Sequence, residues 1–382
     1  MKILHLMLSN FYIDKANYQE NALTRQNKKD GHDVKIIAST EVFVKNNQLG
    51  LISPCSYINE DGIPVERIPY VNLLSKFISK KVRAYPRLYD LISDFSPDII
   101  FFHGAAAYAL LTVAKYKKNN PQVKFYVDSH EDFHNSGRNF LSKNILHRIF
   151  YKHILIKSLP YIDKLFHITY ESKIYLNEIY NISNKYLYFL PLGGFIPGNE
   201  ERESVRKKIR TELGISDGQI ILIHSGKLDA KKRTEEIIDA FVGVKDNNLC
   251  LLIIGSLDSN LTQKIESAIK SDPRIKYMGW LDSSLLQDYL CAGDLYVQLG
   301  SQSVTMQNAL CCGCAAAIYP YESHKYLLKD TVFYVKDSKE LSDLLKLIIS
   351  DKSVLEKKRK ESFNLAKDIL DYRKISAVIY NN

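Results

Sequence analysis

Residues 219–234 read Gln-Ile-Ile-Leu-Ile-His-Ser-Gly-Lys-Leu-Asp-Ala-Lys-Lys-Arg-Thr. A short apolar strand empties into a glycine turn at Gly226, and Lys227, Lys231, Lys232 and Arg233 crowd the approach to an amphipathic helix ending near Phe241. Positive charge is unfavourable at a helix N-terminus unless an anion binds there, because the bare N–H groups and the helix dipole are already positive. Lys227 and Lys232, five residues apart across a strand-to-helix loop, can both reach one diphosphate, so the segment points to a phosphate-bearing ligand. The alternative is a solvated lysine-rich loop. A P-loop is excluded, since the Gly-x4-Gly-Lys-Ser/Thr order is absent.

Two further groups carry chemistry. In residues 300–308 the hydroxyls of Ser301, Ser303 and Thr305, with the N–H groups near 302–305 at a helix expected from Val304, form a second anion candidate. The competing reading is that these hydroxyls only cap the helix. Asp128-Ser129-His130-Glu131-Asp132 follows a strongly apolar strand, and His103 ends another. Each histidine is either a ligand contact or a satisfied polar residue at a strand end. Glu131 and Asp132 serve as acceptor contacts or a base, or cap the next segment. Trp280, at a strand end, stacks on a nucleotide base or packs in the core. The cluster Cys311-Cys312-Gly313-Cys314 lacks a fourth ligand for zinc and reads as tight packing.

The elements that must position these groups follow from periodicity. Apolar runs at 2–8, 34–38, 98–102, 123–127 and 164–168 alternate with helical patterns at 18–29, 74–95, 106–118, 140–157 and 171–180. In the second half, strands are expected at 219–224, 249–254, 274–278, 294–299, 315–319 and 331–335. Such alternation predicts an α/β fold with two doubly wound, Rossmann-like domains, ligands binding at strand C-termini in a cleft between them. The boundary falls at Pro191-Leu192-Gly193-Gly194-Phe195-Ile196-Pro197-Gly198, followed by the charged run 200–212, a linker composition. The expected domains are 1–194 and 195–365, with a C-terminal helix at about 366–382 packing back on the first.

At 382 residues, with 46% hydrophobic and 25% charged residues, the chain suits two soluble domains. No apolar run approaches the roughly 20 residues of a membrane span, and six cysteines without framework spacing suggest a reducing, cytoplasmic compartment. The net charge of +9 concentrates at 76–87 and at 143–164, where cations interleave with apolar residues. These segments are either solvated helix faces or a surface for an anionic membrane. No nucleic-acid-binding motif accompanies them, which argues against nucleic acid as a partner.

Taken together, these landmarks resemble retaining GT-B glycosyltransferases of the family 4 type (glycosyltransferase group 1). The resemblance is carried by Tyr18-Gln19-Glu20-Asn21 with Gly31-His32-Asp33-Val34, by Ser225-Gly226-Lys227-Leu228 with Lys232 and Ala240-Phe241, and by Gly279, Ala292-Gly293-Asp294 and Ala309-Leu310-Cys311-Cys312-Gly313. It departs where the family carries two glutamates eight positions apart, for this chain has Gly300 and Asn308. The resemblance implies a metal-independent transfer, with retention, of a sugar from a nucleotide-diphosphate sugar, which is substrate rather than cofactor, to a surface-glycan acceptor, lipid-linked or free, in polysaccharide biosynthesis. It places Gly226, Lys227 and Lys232 at the diphosphate, Gln307 or Asn308 at the ribose, and His130 at the donor sugar. Tyr18, Gln19, Glu20, His103, Glu131 and Arg138 fall on the acceptor side. It also implies an enzyme peripheral to the inner face of the cell membrane. The alternatives are a nucleotide-sugar epimerase of the same fold and a non-catalytic sugar-nucleotide-binding subunit.

Overall fold

The computed structural model describes residues 1–382 except Asn17, 45–47, Leu74 and Asn382, together with the side chains at 259–261 and 264. The sequence-irregular loops at 9–20 and 45–63 therefore fall partly outside the described residues. The chain divides into two compact units, Met1–Pro191 with Ile375–Asn382, and Leu192–Lys374.

The first unit contains β1 (Lys2–Met7), β2 (Asp33–Ser39), β3 (Glu41–Phe43), β4 (Leu49–Leu51), β5 (Cys55–Ile58), β6 (Pro64–Ile68), β7 (Ile99–His103), β8 (Lys124–Ser129), β9 (Lys164–His167) and β10 (Leu187–Phe189). Eight of these form one sheet in the order β10-β9-β8-β7-β1-β2-β6-β5, while β3 and β4 pair separately as an antiparallel hairpin. All pairings in the large sheet are parallel except β5 with β6. The apolar runs are nearly continuous because helices cover both faces of a parallel sheet. Leu4, Leu6, Ile100, Phe102, Val127 and Leu165 fill one face, and Met7, Val34, Ile36 and Ala38 fill part of the other. Strand order reverses between β1 and β7, so their C-terminal ends make the topological switch point where such sheets bind ligands.

The second unit is a six-stranded parallel sheet. Its strands are β11 (Ile220–Leu228), β12 (Leu249–Leu257), β13 (Ile275–Gly279), β14 (Leu295–Gln298), β15 (Ala315–Ile318) and β16 (Phe333–Tyr334), in the order β13-β12-β11-β14-β15-β16. Alternate residues of β11 divide between two cores. Ile220 and Leu222 join Ile237 and Phe241, whereas Ile221 and Ile223 join Met306, Leu310 and Cys311. Here the switch point lies between β11 and β14. Those two strands pair only at Leu222–Leu295 and Ile223–Tyr296, so the rest of β11 runs on without that neighbour and leaves a gap for loops to fill.

Three local expectations change. The strand expected to end at 224 continues through Gly226 and Lys227 to Leu228, alongside β12. That continuation requires two facing glycines. Gly226 and Gly255 have φ near +140°, and a Cβ on Gly255 would lie 1.8 Å from the Gly226 carbonyl oxygen. The charged run 200–212 is not a linker but lies in a 15-residue helix, Asn199–Leu213, ended by Gly214 in the left-handed conformation. Arg206 and Arg210 of that helix bind the Asp294 carboxylate. The helix expected over 74–95 is two helices, Lys76–Val82 and Leu88–Phe95, because Arg83 and Arg87 both adopt positive φ around Pro86. Gly255→Ala is expected to cost about 2–3 kcal/mol of stability, read as a lower urea midpoint for unfolding of the second unit.

Candidate functional site

In the second unit the lysine-rich turn and the 300–308 block come together at the switch point. Asp229 caps a single 3-10 turn, Ala230–Lys232, by accepting from the Lys231 N–H. The loop after β14 clamps onto this turn. Ser301 N–H donates to the Lys231 carbonyl at 2.8 Å, and Lys232 Nζ donates to the Ser301 carbonyl at 2.7 Å. The Lys232 side chain runs beneath Gly226, where an added Cβ would sit 3.2 Å from its Cε. Lys232 is 6% exposed. Burial pushes its pKa down to about 8, with Asp229 opposing the shift. Its ammonium therefore has carbonyl partners and no carboxylate within ion-pair distance among the described residues, an arrangement that leaves net positive charge for an anion. Lys227 stands exposed one residue beyond Gly226.

Other members of the block are committed locally. Ser303 Oγ accepts from the Thr305 N–H and bonds the Thr305 hydroxyl, a local turn just before the helix. The Gln307 amide, correctly oriented, donates to the carbonyls of Ser303 and Val304. Asn308 packs under the backbone at Gly194, where an added Cβ would meet its Oδ1 at 2.6 Å. Arg233 is a structural tie, forked onto Glu236 and donating to the Leu299 and Lys336 carbonyls. Trp280 is 71% exposed after edge strand β13, so it is not a core residue. Cys311, Cys312 and Cys314 are buried, and burial pushes the Cys314 thiol up to about 12, which fits packing rather than thiolate chemistry. Gly300 has a physical reason to lack a side chain, since a Cβ there would lie 2.0 Å from the Lys231 carbonyl oxygen.

In the first unit the central group is the Asp128 carboxylate, with no exposed surface. Oδ1 accepts from Gly104 N–H at 2.8 Å and lies 3.2 Å from His130 Nε2, while Oδ2 accepts from His103 Nδ1 at 2.8 Å. Burial works against charge on both Asp128 and His130, but their mutual attraction prevails. Asp128 is held well below the usual carboxylate range, and His130 rises to about 10 with further help from Glu20 at 3.9 Å. His130 remains 20% exposed, so a charged ring faces the open side.

Behind Asp128 runs a buried polar chain. His103 Nε2 meets His5 Nδ1 at 3.0 Å, His5 Nε2 meets Asn27 Oδ1 at 2.9 Å, and Asn27 Nδ2 donates to Ser376 Oγ at 2.6 Å. Burial, then the neighbouring His103, keep the His5 ring neutral by lowering its pKa to about 3. Only one of its nitrogens then carries a proton, so the chain has two proton registers related by turning over the Asn27 amide. His103, expected on the acceptor side, is fully buried, with its two ring nitrogens on Asp128 and His5. His103, Asp128 and His130 also place ligand atoms within 4.8 Å of one another. Because both His103 nitrogens are engaged by protein groups, the cluster reads as a hydrogen-bonded relay rather than a metal cage.

Glu20 accepts from Asn10 Nδ2 and faces His130. Gln19 is buried against the Pro191 carbonyl, whereas Tyr18 is exposed at the start of its helix. Glu131 is 5% exposed and accepts from Ala105 N–H and Ser129 Oγ. Asp132 takes the capping alternative, accepting from the His134 and Asn135 N–H groups. His130, Glu131 and Arg138 line a pocket of about 410 Å³ with Asn10, Lys81 and Arg83. The sequence did not single out Lys81 or Arg83 individually, nor Asn10; the positive φ at Arg83 arises beside Pro86, the visible signal for a break.

The raised His130 pKa gives a signed expectation. Its stabilising contribution is complete below the unfolded value near 6.5 and fades as pH rises to about 10. Asp128→Asn is expected to cost about 3–5 kcal/mol and to return the His130 ring to a value at or below 6.5, read by NMR titration of its ring protons. Gly300→Glu is expected to force apart the Ser301 and Lys231 backbones, read as a lower urea midpoint for unfolding of the second unit.

Comparison with known proteins agrees with this fold. Residues 205–365 match the family described as glycosyl transferases group 1. Comparison with curated protein sequences gives no significant match. Among solved structures, HepE from Anabaena in complex with UDP superposes with a TM-score of 0.68 at 15% identity, covering 100% of this chain and 99% of its own. A glycosyltransferase from Rickettsia africae ESF-5 gives 0.68 at 14%, covering 100% and 99%. WaaG, a glycosyltransferase involved in lipopolysaccharide biosynthesis, gives 0.61 at 11%, covering 100% of both chains. Residues 205–365 of the second unit thus match the glycosyl transferases group 1 model, and the chain as a whole shares the GT-B fold of these solved structures.

Proposed function

We propose that the protein transfers a sugar, with retention and without a bound metal, from a nucleotide-diphosphate sugar to a surface-glycan acceptor. The observation that carries this reading is Lys232, a buried ammonium held at the mouth of the switch point by carbonyls alone. Transfer breaks the bond between the sugar's C1 and the diphosphate oxygen, and the electron pair leaves with the phosphate. Lys232 and Lys227 supply fixed positive charge where that negative charge develops. The acceptor hydroxyl forms the new bond to C1 and gives its proton to the departing diphosphate. His130, cationic beside Asp128, is a donor to the sugar's hydroxyls rather than a base. No carboxylate is assigned as a covalent nucleophile.

The UDP and UDP-glucose bound in HepE structures support a uridine donor, and the role of WaaG in lipopolysaccharide biosynthesis supports a surface glycan. No helix among the described residues is long and apolar enough to cross a membrane. A peripheral, cytoplasmic-face location is supported by exposed Phe77, Phe140, Leu141, Ile145 and Ile149, flanked by Lys76, Lys143, Arg148 and Lys152. Residues 141, 145 and 149 fall at four-residue steps, which keeps them on one helix face.

Lys232→Ala is expected to lower transfer by roughly 100-fold or more, and Lys227→Ala by roughly tenfold or more, taking each charged contact as about 1.5–3 kcal/mol. Normal donor binding and turnover in both variants would sink the assignment. UDP affinity of the native chain should fall as pH rises through about 8, because Lys232 loses its proton there, and the fall should vanish in Lys232→Ala. Flotation with anionic vesicles should weaken with salt and drop roughly tenfold in the Phe140→Asp, Leu141→Asp double variant.

A further inference from the structure

The pocket of the first unit holds more positive charge than its own carboxylates neutralise. Arg83 is half-buried and left-handed at φ +54°, between the helices Lys76–Val82 and Leu88–Phe95. Its Nη1 donates to the Ala106 carbonyl at 2.7 Å and to Ser9 Oγ at 3.3 Å, both neutral acceptors. Arg138 spends one N–H, Nε, on the His134 carbonyl. Lys81 lies over the Phe77 ring.

The nearby carboxylates are engaged elsewhere. Glu131 serves Ala105 N–H and Ser129 Oγ, Glu41 pairs with Lys80, and Glu20 and Asp128 share His130. No carboxylate lies within ion-pair distance of Lys81, Arg83 or Arg138 among the described residues. His147, on the same wall, registers the surplus. Burial first, then Arg83 and Lys81, lower its pKa to about 4. Glu131 acts on Arg83 from beyond ion-pair distance, and an anion in the pocket would take up the guanidinium N–H groups that Ala106 and Ser9 leave unused. The pocket's volume is that of a small-molecule site, and its wall at Asn139 and Ser142 adjoins exposed Phe140, Leu141 and Ile145.

We propose that this pocket binds the phosphate of the acceptor, with Arg83 and Arg138 as its ligands, and that the acceptor is a lipid-linked phosphate or diphosphate ester whose tail lies along Phe140, Leu141 and Ile145. The acceptor assignment rests on the glycosyltransferase reading; anion binding at Arg83 does not.

The test titrates inorganic pyrophosphate calorimetrically into the full chain with saturating UDP, and again in a Lys232→Ala background that disables the donor loop. Arg83→Gln and Arg138→Gln are expected to weaken binding roughly tenfold or more, as loss of charge-assisted hydrogen bonds requires, with Arg83→Lys between them and the native chain. Unfolding of Arg83→Gln, monitored by circular dichroism, passes the decision to Arg138→Gln, which lies in a loop. Unchanged pyrophosphate affinity in both would overturn the proposal while leaving the donor reading to stand on Lys232→Ala and UDP. Loss of pyrophosphate binding alongside a UDP response indifferent to Lys232→Ala would overturn the donor reading instead. Flotation at high salt with phosphatidylcholine vesicles, with and without polyprenyl phosphate, identifies the source. Retention that needs the polyprenyl phosphate and Arg83 supports the lipid-linked acceptor. Equal retention on both vesicles overturns the lipid assignment and leaves a soluble phosphate ester as the ligand.

Discussion

A carboxylate with no solvent contact must be neutralised where it stands, and the first unit is arranged around that requirement at Asp128. Two histidines and the Gly104 N–H converge on it from two neighbouring segments, the end of β7 and the loop after β8. Gly104 is needed because its φ of +91° aims the N–H at the carboxylate, and a Cβ there would strike Ser9 at 2.6 Å. Register places His103 directly beside Asp128 on adjacent strands, so the pairing is a product of the sheet itself. What the sheet does not supply is a cation, and His130 supplies it from the loop. The charge state of the exposed ring is thus fixed by the interior.

The second unit solves the opposite problem at the equivalent place in its sheet. Its buried charge is a cation, Lys232, and the backbone satisfies it only with neutral carbonyls. The two solutions differ in what they leave over. Asp128 is fully compensated and makes its neighbour a lasting cation, whereas Lys232 is hydrogen-bonded yet uncompensated and awaits an anion. Both follow from one topological fact, that strand order reverses at β1/β7 and at β11/β14 and opens the sheet edge there.

Much of this was legible in the sequence. Central strands announced themselves as apolar runs, since burial on both faces leaves little room for polar residues. Lys227, Lys232 and the 300–308 block stood out because cations and hydroxyls at strand ends have few structural uses. The relay from His5 to Ser376 was not legible, because its partners lie 22, 98 and 349 residues apart and each polar residue sits within an ordinary periodic pattern. In the sequence, Gly300 shows only as a departure from the paired glutamates of the family it resembles. Only the closeness of the Lys231 backbone shows that the site has no volume for a side chain. The break at Arg83 was hidden by continuous cationic, helix-like spacing, although Pro86 marked it.

Ser376, at the far end of the relay, belongs to the segment by which the chain returns to the first unit after completing the second. This makes the order of synthesis matter. Residues 192–374 are contiguous and have all their own strands once they leave the ribosome. The first unit, begun earlier, lacks the hydroxyl partner of Asn27 until residue 376 emerges, so its buried polar column stays incomplete through most of translation. The half of the molecule made first is therefore the half finished last, and until then the relay behind Asp128 lacks its last partner.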